Sequence, residues 1–381
     1  MLRIQGNRVL ENDRLETIEV SIQDGKIVNL RAYRDLQVDL PTVLPGLIDL
    51  HVHGGGGADT MDGTDRAFET IARTHARYGT TSLLLTTMTE TIDRTSEIID
   101  RAHAYASQYA GGANVLGIHA EGPFIHPNKA AAQRMDAIVD PDPDVAERWF
   151  RTGFVKMMTL APELPLAHEV AVIGKKYGVL MAVGHTTASY EDMEAARNFG
   201  FSHITHLCNA MNGFGHREVG PIGHIIDNES YTADLIGDGR HIHPAMLKAL
   251  IRSIGIERLS LITDAIRATD LGDGEYDLGG QRVTVKDGVS RLKNGSFAGS
   301  VLTMAKAVAN LQTLTGVSLY DAQTLASTNP ARRLGLAHKG RLMEGFDADM
   351  VAIDPRGEVL WTMVDGSVVY QNQGVANERE V

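Results

Sequence analysis

Cysteine is almost absent: Cys208 is the only one among 381 residues. That excludes a disulfide framework and a cysteine-built zinc ribbon, and it fits a reducing cytoplasm. Long apolar runs are missing too. None approaches the roughly 18 residues of a membrane-spanning helix. The N-terminal MLRIQGNRVLENDR carries charges where a signal peptide needs about 7–15 apolar residues. Basic residues are in deficit, with 36 Lys plus Arg against 48 Asp plus Glu and a net charge of −12. Such a surface repels phosphate backbones, so nucleic acid is not an expected partner. Three catalytic devices are absent as well. GGGG at Gly54–Gly57 is not the GxGxxG nucleotide fingerprint, and Ala298-Gly299-Ser300 is not a GxSxG nucleophile elbow. Cys208 has no partner for the PCxxC element of a zinc deaminase.

What is present is an ordinary globular mix, 43% hydrophobic and 22% charged. Both chain ends read as β structure. TIEVSIQDGKIVNL and EVLWTMVDGSVVYQ alternate apolar and polar residues around Asp24-Gly25 and Asp365-Gly366. An Asp-Gly pair suits a type I′ hairpin, which needs positive φ at both central positions. The two ends are expected to pack together as one small β-sandwich domain, residues 1–45 and 336–381.

Between them, residues 46–335, short apolar strands start at Gly46, Thr80, Val115, Val155, Leu180, His203, Tyr231 and Leu259. Each is followed by a stretch long enough for a crossover helix. TDRAFETIARTHARYG and TASYEDMEAARNFG, for example, are amphipathic and end in glycine. Eight βα units are the number of an α/β (β/α)8 TIM-like barrel; an open doubly wound sheet is the alternative. After the eighth strand, Asp287-Gly288 and Asn294-Gly295 predict a hairpin excursion. Two helical stretches, LTMAKAVANLQTLTG and LYDAQTLAST, follow it.

Barrel chemistry sits at the C-terminal ends of the strands. Strand 1 ends in His51-Val52-His53, whose two imidazoles share a face because side chains alternate. Strand 3 places His119 and Glu121 on one face. Strands 5, 6 and 8 end near His185, His206 and Asp264. A lone histidine at a strand end is usually structural, but so many polar groups inside a barrel would cost about 1–3 kcal/mol each if uncompensated. A divalent metal compensates them. Imidazole and carboxylate ligands without thiolate suit zinc or iron(II). Asp264 is placed to exchange a proton with a metal-activated water, although a helix N-cap is an alternative role for it.

These residues resemble a known group. PGLIDLHVHG is similar to the signature of the amidohydrolase superfamily. HAEGPF (119–124), GHTTA (184–188), THLCNAM (205–211), GDGRHIHP (237–244), LITDA (261–265), AGSVLTM (298–304) and STNPA (327–331) resemble its N-acetylglucosamine-6-phosphate deacetylases. GRLMEGFDADMVAID is similar to the segment that closes the β-sandwich in the superfamily. The resemblance implies metal-dependent hydrolysis of the acetamide of N-acetylglucosamine 6-phosphate to glucosamine 6-phosphate and acetate, by a homodimer. It implies Glu121, His185 and His206 as principal metal ligands and His51 and His53 as ligands of a second metal, one or two per chain. It makes Asp264 the acid/base and His241 a substrate contact that polarises the carbonyl. It gives Asn209 and Ala210 backbone N–H groups to the phosphate, and Arg217 a charge; taken alone, Arg217 reads as a solvated surface residue. Arginine suits that task because it grips phosphate in bidentate fashion.

Three positions depart from the pattern. Val219 replaces a common proline. Gln133 stands where many members carry a histidine that reaches the partner's substrate, and is retained as a substrate-binding candidate. Cys208 replaces an aromatic and reads as small core filler. His119 reads as a neighbour of the ligands, not a ligand. The rival activities are deacetylation of N-acetylgalactosamine 6-phosphate, hydrolysis of an acylamino acid, and a non-catalytic scaffold; the last sits poorly with a complete set of candidate ligands.

Overall fold

The computed structural model describes residues 1–108 and 111–372. Eight parallel strands run Leu47–Val52, Thr80–Thr86, Asn114–Glu121, Val155–Leu160, Leu180–Val183, His203–Ile204, Thr232–Ile236 and Leu259–Ile262. They pair in chain order, and the last returns to the first. At that seam Val52 bridges Ala265, and the Asp264 N–H donates to the His51 carbonyl at 3.0 Å. The result is a nearly closed barrel, as expected from the eight apolar repeats.

The helices between strands start and stop where their end residues dictate. Asp65–Ala76 begins at Thr64, whose side chain accepts from the Ala67 N–H. Tyr190–Phe199 begins in a reciprocal Ser189/Asp192 capping box and ends at Gly200, with φ 116°. A left-handed stop of this kind strongly favours glycine. Each helix buries one face against the barrel; Phe68, Ile71 and Ala72 do so for the first.

Both chain ends build one mostly antiparallel sheet of seven strands. Leu2–Val9, Leu15–Gln23, Lys26–Ala32 and Thr42–Pro45 come from the N-terminal side. Met350–Ile353, Val359–Val364 and Ser367–Gln371 come from the other end. The two contributions join where Met350–Ile353 pairs with Thr42–Pro45. Val20, Ile22 and Ile27 then share a buried cluster with Met350, Ala352 and Met363. Both Asp-Gly turns have positive φ at both residues, 50° and 75° at Asp24-Gly25 and 46° and 76° at Asp365-Gly366. Residues 373–381, assigned above to this domain, lie outside the described residues.

After the eighth strand the chain makes a three-stranded antiparallel sheet, Gly274–Leu278, Gln281–Lys286 and Val289–Leu292. The last two form the hairpin expected at Asp287-Gly288; the first was not anticipated. Met88, Ile266, Leu278 and Val283 share a small core beneath this sheet, at the mouth of the barrel.

Candidate metal centre and active site

The first barrel strand carries Asp49 and His51 on one face, as alternation requires, and His53 follows at its C-terminal end with its ring 4.9 Å from that of His51. Glu121 ends the third strand. His185 and His206 follow the fifth and sixth, and Asp264 follows the eighth. These last three hold φ values of 49°, 32° and 52° in the left-handed region, which non-glycine residues adopt at a cost. The strain turns each side chain into one cavity of about 330 Å³, lined also by His241, Asn209 and Gln133.

Glu121 is the centre of this arrangement. Its Oε1 lies 3.0 Å from His206 Nε2, 3.2 Å from His185 Nε2 and 3.6 Å from His51 Nε2. Its Oε2 lies 3.3 Å from His53 Nε2. Two groups could hold a cation, His51–His53–Glu121 and Glu121–His185–His206, with ligand atoms within 4.8 Å of one another. The donor set suits a divalent metal: four imidazoles and a carboxylate, all buried, with like donors 3.1–3.2 Å apart at His51–His53 and His185–His206. Nothing but a shared cation or proton makes such contacts favourable. A third cluster, Asp347, Asp349 and Asp365, encloses the Lys339 ammonium, 2.6 Å from Asp349, which supplies the positive charge there.

The electrostatics follow from the geometry. Burial opposes charge on His53, yet hydrogen bonds to Asp264 and Glu121 raise its pKa to about 10. Burial likewise opposes ionisation of Asp264, but His51 and His53 hold its carboxyl below the usual range. Glu121 is held well below by His51 and His185, again against burial. Both carboxylates are therefore charged at neutral pH.

The surrounding residues serve different ends. His119 spends both ring nitrogens, on the Leu50 carbonyl at 3.1 Å and Thr159 Oγ1 at 2.7 Å, with its ring 4.6 Å from that of His51. Burial lowers its pKa well below the ordinary histidine value, so it is a neutral support for His51. His241 Nδ1 is held by Asp238 Oδ2 at 2.7 Å, which aims the ring into the cavity. Cys208, expected as core filler, lines the cavity wall with φ 78°, and burial pushes its thiol up to about 12. Asp264 caps no helix; its backbone is fixed at the barrel seam instead.

Four expected substrate contacts need correction or comment. The Asn209 N–H donates to the His206 carbonyl at 2.9 Å, so it is not offered to a ligand. The Ala210 N–H has no such partner among the described residues. Arg217 lies on the exposed stretch 213–218 and does not line the cavity of its own chain. Gln133 is buried against Glu121, donating to Oε2 at 2.7 Å.

Two residues with evident roles were not singled out from the sequence. Asp49 accepts from His51 N–H and Thr263 N–H at 3.2 Å each and from Thr263 Oγ1 at 2.6 Å. It buckles the strand of the two histidines to the strand of Asp264. Its signal was the same alternation that found His51 and His53. Asp238 was marked only by its place three residues before His241.

Comparison with known proteins decides the family. The amidohydrolase family profile matches residues 42–369. The chain belongs to the amidohydrolase family. It is 38% identical over 349 residues to the N-acetylglucosamine-6-phosphate deacetylase of Lysinibacillus sphaericus, covering 90% of each chain. It is 33% identical to the N-acetylgalactosamine-6-phosphate deacetylase of Escherichia coli O157:H7, covering 96% of this chain and 98% of that one. Among solved structures it resembles an N-acetyl-D-glucosamine-6-phosphate deacetylase of Mycobacterium smegmatis. That protein is an aspartate-to-alanine variant in complex with N-acetyl-D-glucosamine-6-phosphate, with a TM-score of 0.88 and 32% identity. The match covers 97% of this chain and all of that one.

Proposed function

We propose that this amidohydrolase hydrolyses the acetamide of N-acetylglucosamine 6-phosphate to glucosamine 6-phosphate and acetate. The observation that carries the reading is the convergence of Glu121, His185, His206 and Asp264 in one cavity, in a chain whose relatives at 33–38% identity include such deacetylases. Glu121, His185 and His206 are the principal metal ligands; His51 and His53 complete a second position. Zinc or iron(II) suits the donors. A divalent cation there polarises the acyl oxygen and acidifies water.

The chain's own groups do the rest. Asp264 starts ionised, held so by His51 and His53, and its Oδ1 lies 3.3 Å from His53 Nε2 and 3.5 Å from His51 Nε2. It takes a proton from the attacking water and returns it to the departing amine. His241, oriented by Asp238, supports the carbonyl and the sugar. The Ala210 N–H and Arg217 meet the phosphate. Because Arg217 does not line its own cavity, this role requires it to serve the site of a second copy in the proposed homodimer. The single thiol supports placing the reaction in the cytoplasm.

Arg217→Ala is expected to raise KM for the phosphorylated sugar about 10–100-fold, the worth of a charge-assisted contact, with kcat little changed. Steady-state kinetics check this, and an unchanged KM removes Arg217 from phosphate recognition. The sugar itself is tested by comparing acetate release from the two 2-acetamido epimers. A kcat/KM larger for N-acetylglucosamine 6-phosphate supports the reading. The reverse order assigns the galacto epimer, which the Escherichia coli relative at 33% identity makes the closest rival.

A further inference from the structure

Glu121 faces a problem that its own chemistry does not solve. One oxygen must serve His185 and His206 while the other faces His53, and the torsion that sets the carboxylate plane is broad and nearly two-fold. Something must pin it. Gln133 Nε2 donates to Glu121 Oε2 at 2.7 Å, the oxygen on the His53 side. The amide is itself fixed, because Gln133 Oε1 accepts from the Thr89 N–H at 2.6 Å. A flipped amide would set N–H against N–H and oxygen against carboxylate, so only one orientation satisfies both neighbours.

The support continues outward. The Gln133 N–H donates to the Ala130 carbonyl at 2.8 Å, closing a tight turn that holds Ala131 at φ 52°. The carbonyl of Ala132, just before Gln133, accepts from Gln281 on the three-stranded sheet over the barrel mouth. That sheet therefore braces the loop carrying Gln133. The donor is also neutral. An ammonium or guanidinium in this place would compete for the charge of Glu121 that a metal needs, whereas an amide steers the carboxylate and leaves that charge intact.

We infer that Gln133 is a positioning residue for the metal centre, holding Glu121 so that Oε1 faces His185 and His206 while Oε2 faces His53, and not a contact to the substrate. The inference rests on the metal-site reading above. Outer-shell partners of this kind carry about 10–100-fold in metal affinity.

The test is Zn²⁺ titration of the metal-stripped full-length chain against a chromophoric chelator, for the unaltered protein, Gln133→Met and Gln133→His. Gln133→Met keeps the length and loses the donor; it is expected to bind Zn²⁺ about 10–100-fold more weakly. Gln133→His keeps a donor and is expected to recover most of that loss. At saturating Zn²⁺, KM of Gln133→Met for N-acetylglucosamine 6-phosphate should stay within about twofold of the unaltered value, since metal loading and not sugar contact is what changed. Unchanged Zn²⁺ affinity with a raised KM would overturn the inference and make Gln133 a substrate contact. Absence of Zn²⁺ binding by the unaltered chain would overturn the metal-site reading itself, and the inference with it. Should Gln133→Met fail to fold, Gln133→Ala, which leaves room for water at the cavity edge, makes the same comparison.

Discussion

Asp264→Asn is expected to retain its metal and to lose turnover by about 10²–10⁴-fold, the usual worth of a positioned acid/base. The substitution preserves shape and removes the proton acceptor. The backbone that aims the side chain does not depend on its charge: Asp264 N–H donates to the His51 carbonyl at 3.0 Å, and its own carbonyl accepts from Ser300 N–H at 2.7 Å. The amide can therefore occupy the carboxylate's place at the barrel seam. Acetate release and metal quantification on the same preparation check the two halves separately. Turnover near that of the unaltered chain would remove Asp264 from the proton transfers. Loss of metal together with turnover would make it a ligand first.

Glu121→Ala carries the second large effect. Its carboxylate belongs to both candidate metal groups, and removing it strips His185 and His206 of the carboxylate they share and leaves Asp264, beside His51 and His53, as the anion that remains. Metal affinity should fall by more than the 10–100-fold typical of losing an outer-shell partner, and acetate release should fall with it. The double substitution His51→Ala with His53→Ala tests the division between the groups. It is expected to cost one bound equivalent at most, leaving the metal held by His185 and His206. Metal content after dialysis decides both. Full metal content in Glu121→Ala would dismantle the shared-carboxylate arrangement.

Much of the convergence at this site is legible in the sequence. Recurring apolar segments, each followed by room for a crossover helix, placed the eight barrel strands, because a parallel strand buried on both faces is largely apolar. His51 and His53 were readable because alternation alone puts them on one face. The Asp-Gly turns were readable because few residue pairs accept positive φ twice. What escaped were consequences of chain crossings. The Asp49 link to Thr263 joins the first strand to the stretch after the eighth, and nothing local announces it. The Asn209 N–H was expected at a ligand but closes a turn onto His206, a matter of loop conformation. Left-handed backbone at His185, His206 and Asp264 has no sequence signature, since none of them is glycine. Gly274–Leu278 escaped because GEYDL presents little apolar face, with only Leu278 fully buried. Gln133 was assigned from its place in a motif, whereas its neighbours Thr89 and Glu121 define what it does.

The most direct measurement is acetate release from N-acetylglucosamine 6-phosphate by one preparation, before and after chelation, with metal per chain quantified at each stage. Release should disappear as metal is stripped and return on adding Zn²⁺ or Fe²⁺. Two equivalents would give His51 and His53 their place, and one would confine the metal to Glu121, His185 and His206. Undiminished release from fully stripped protein would contradict a metal-dependent deacetylase built on Glu121.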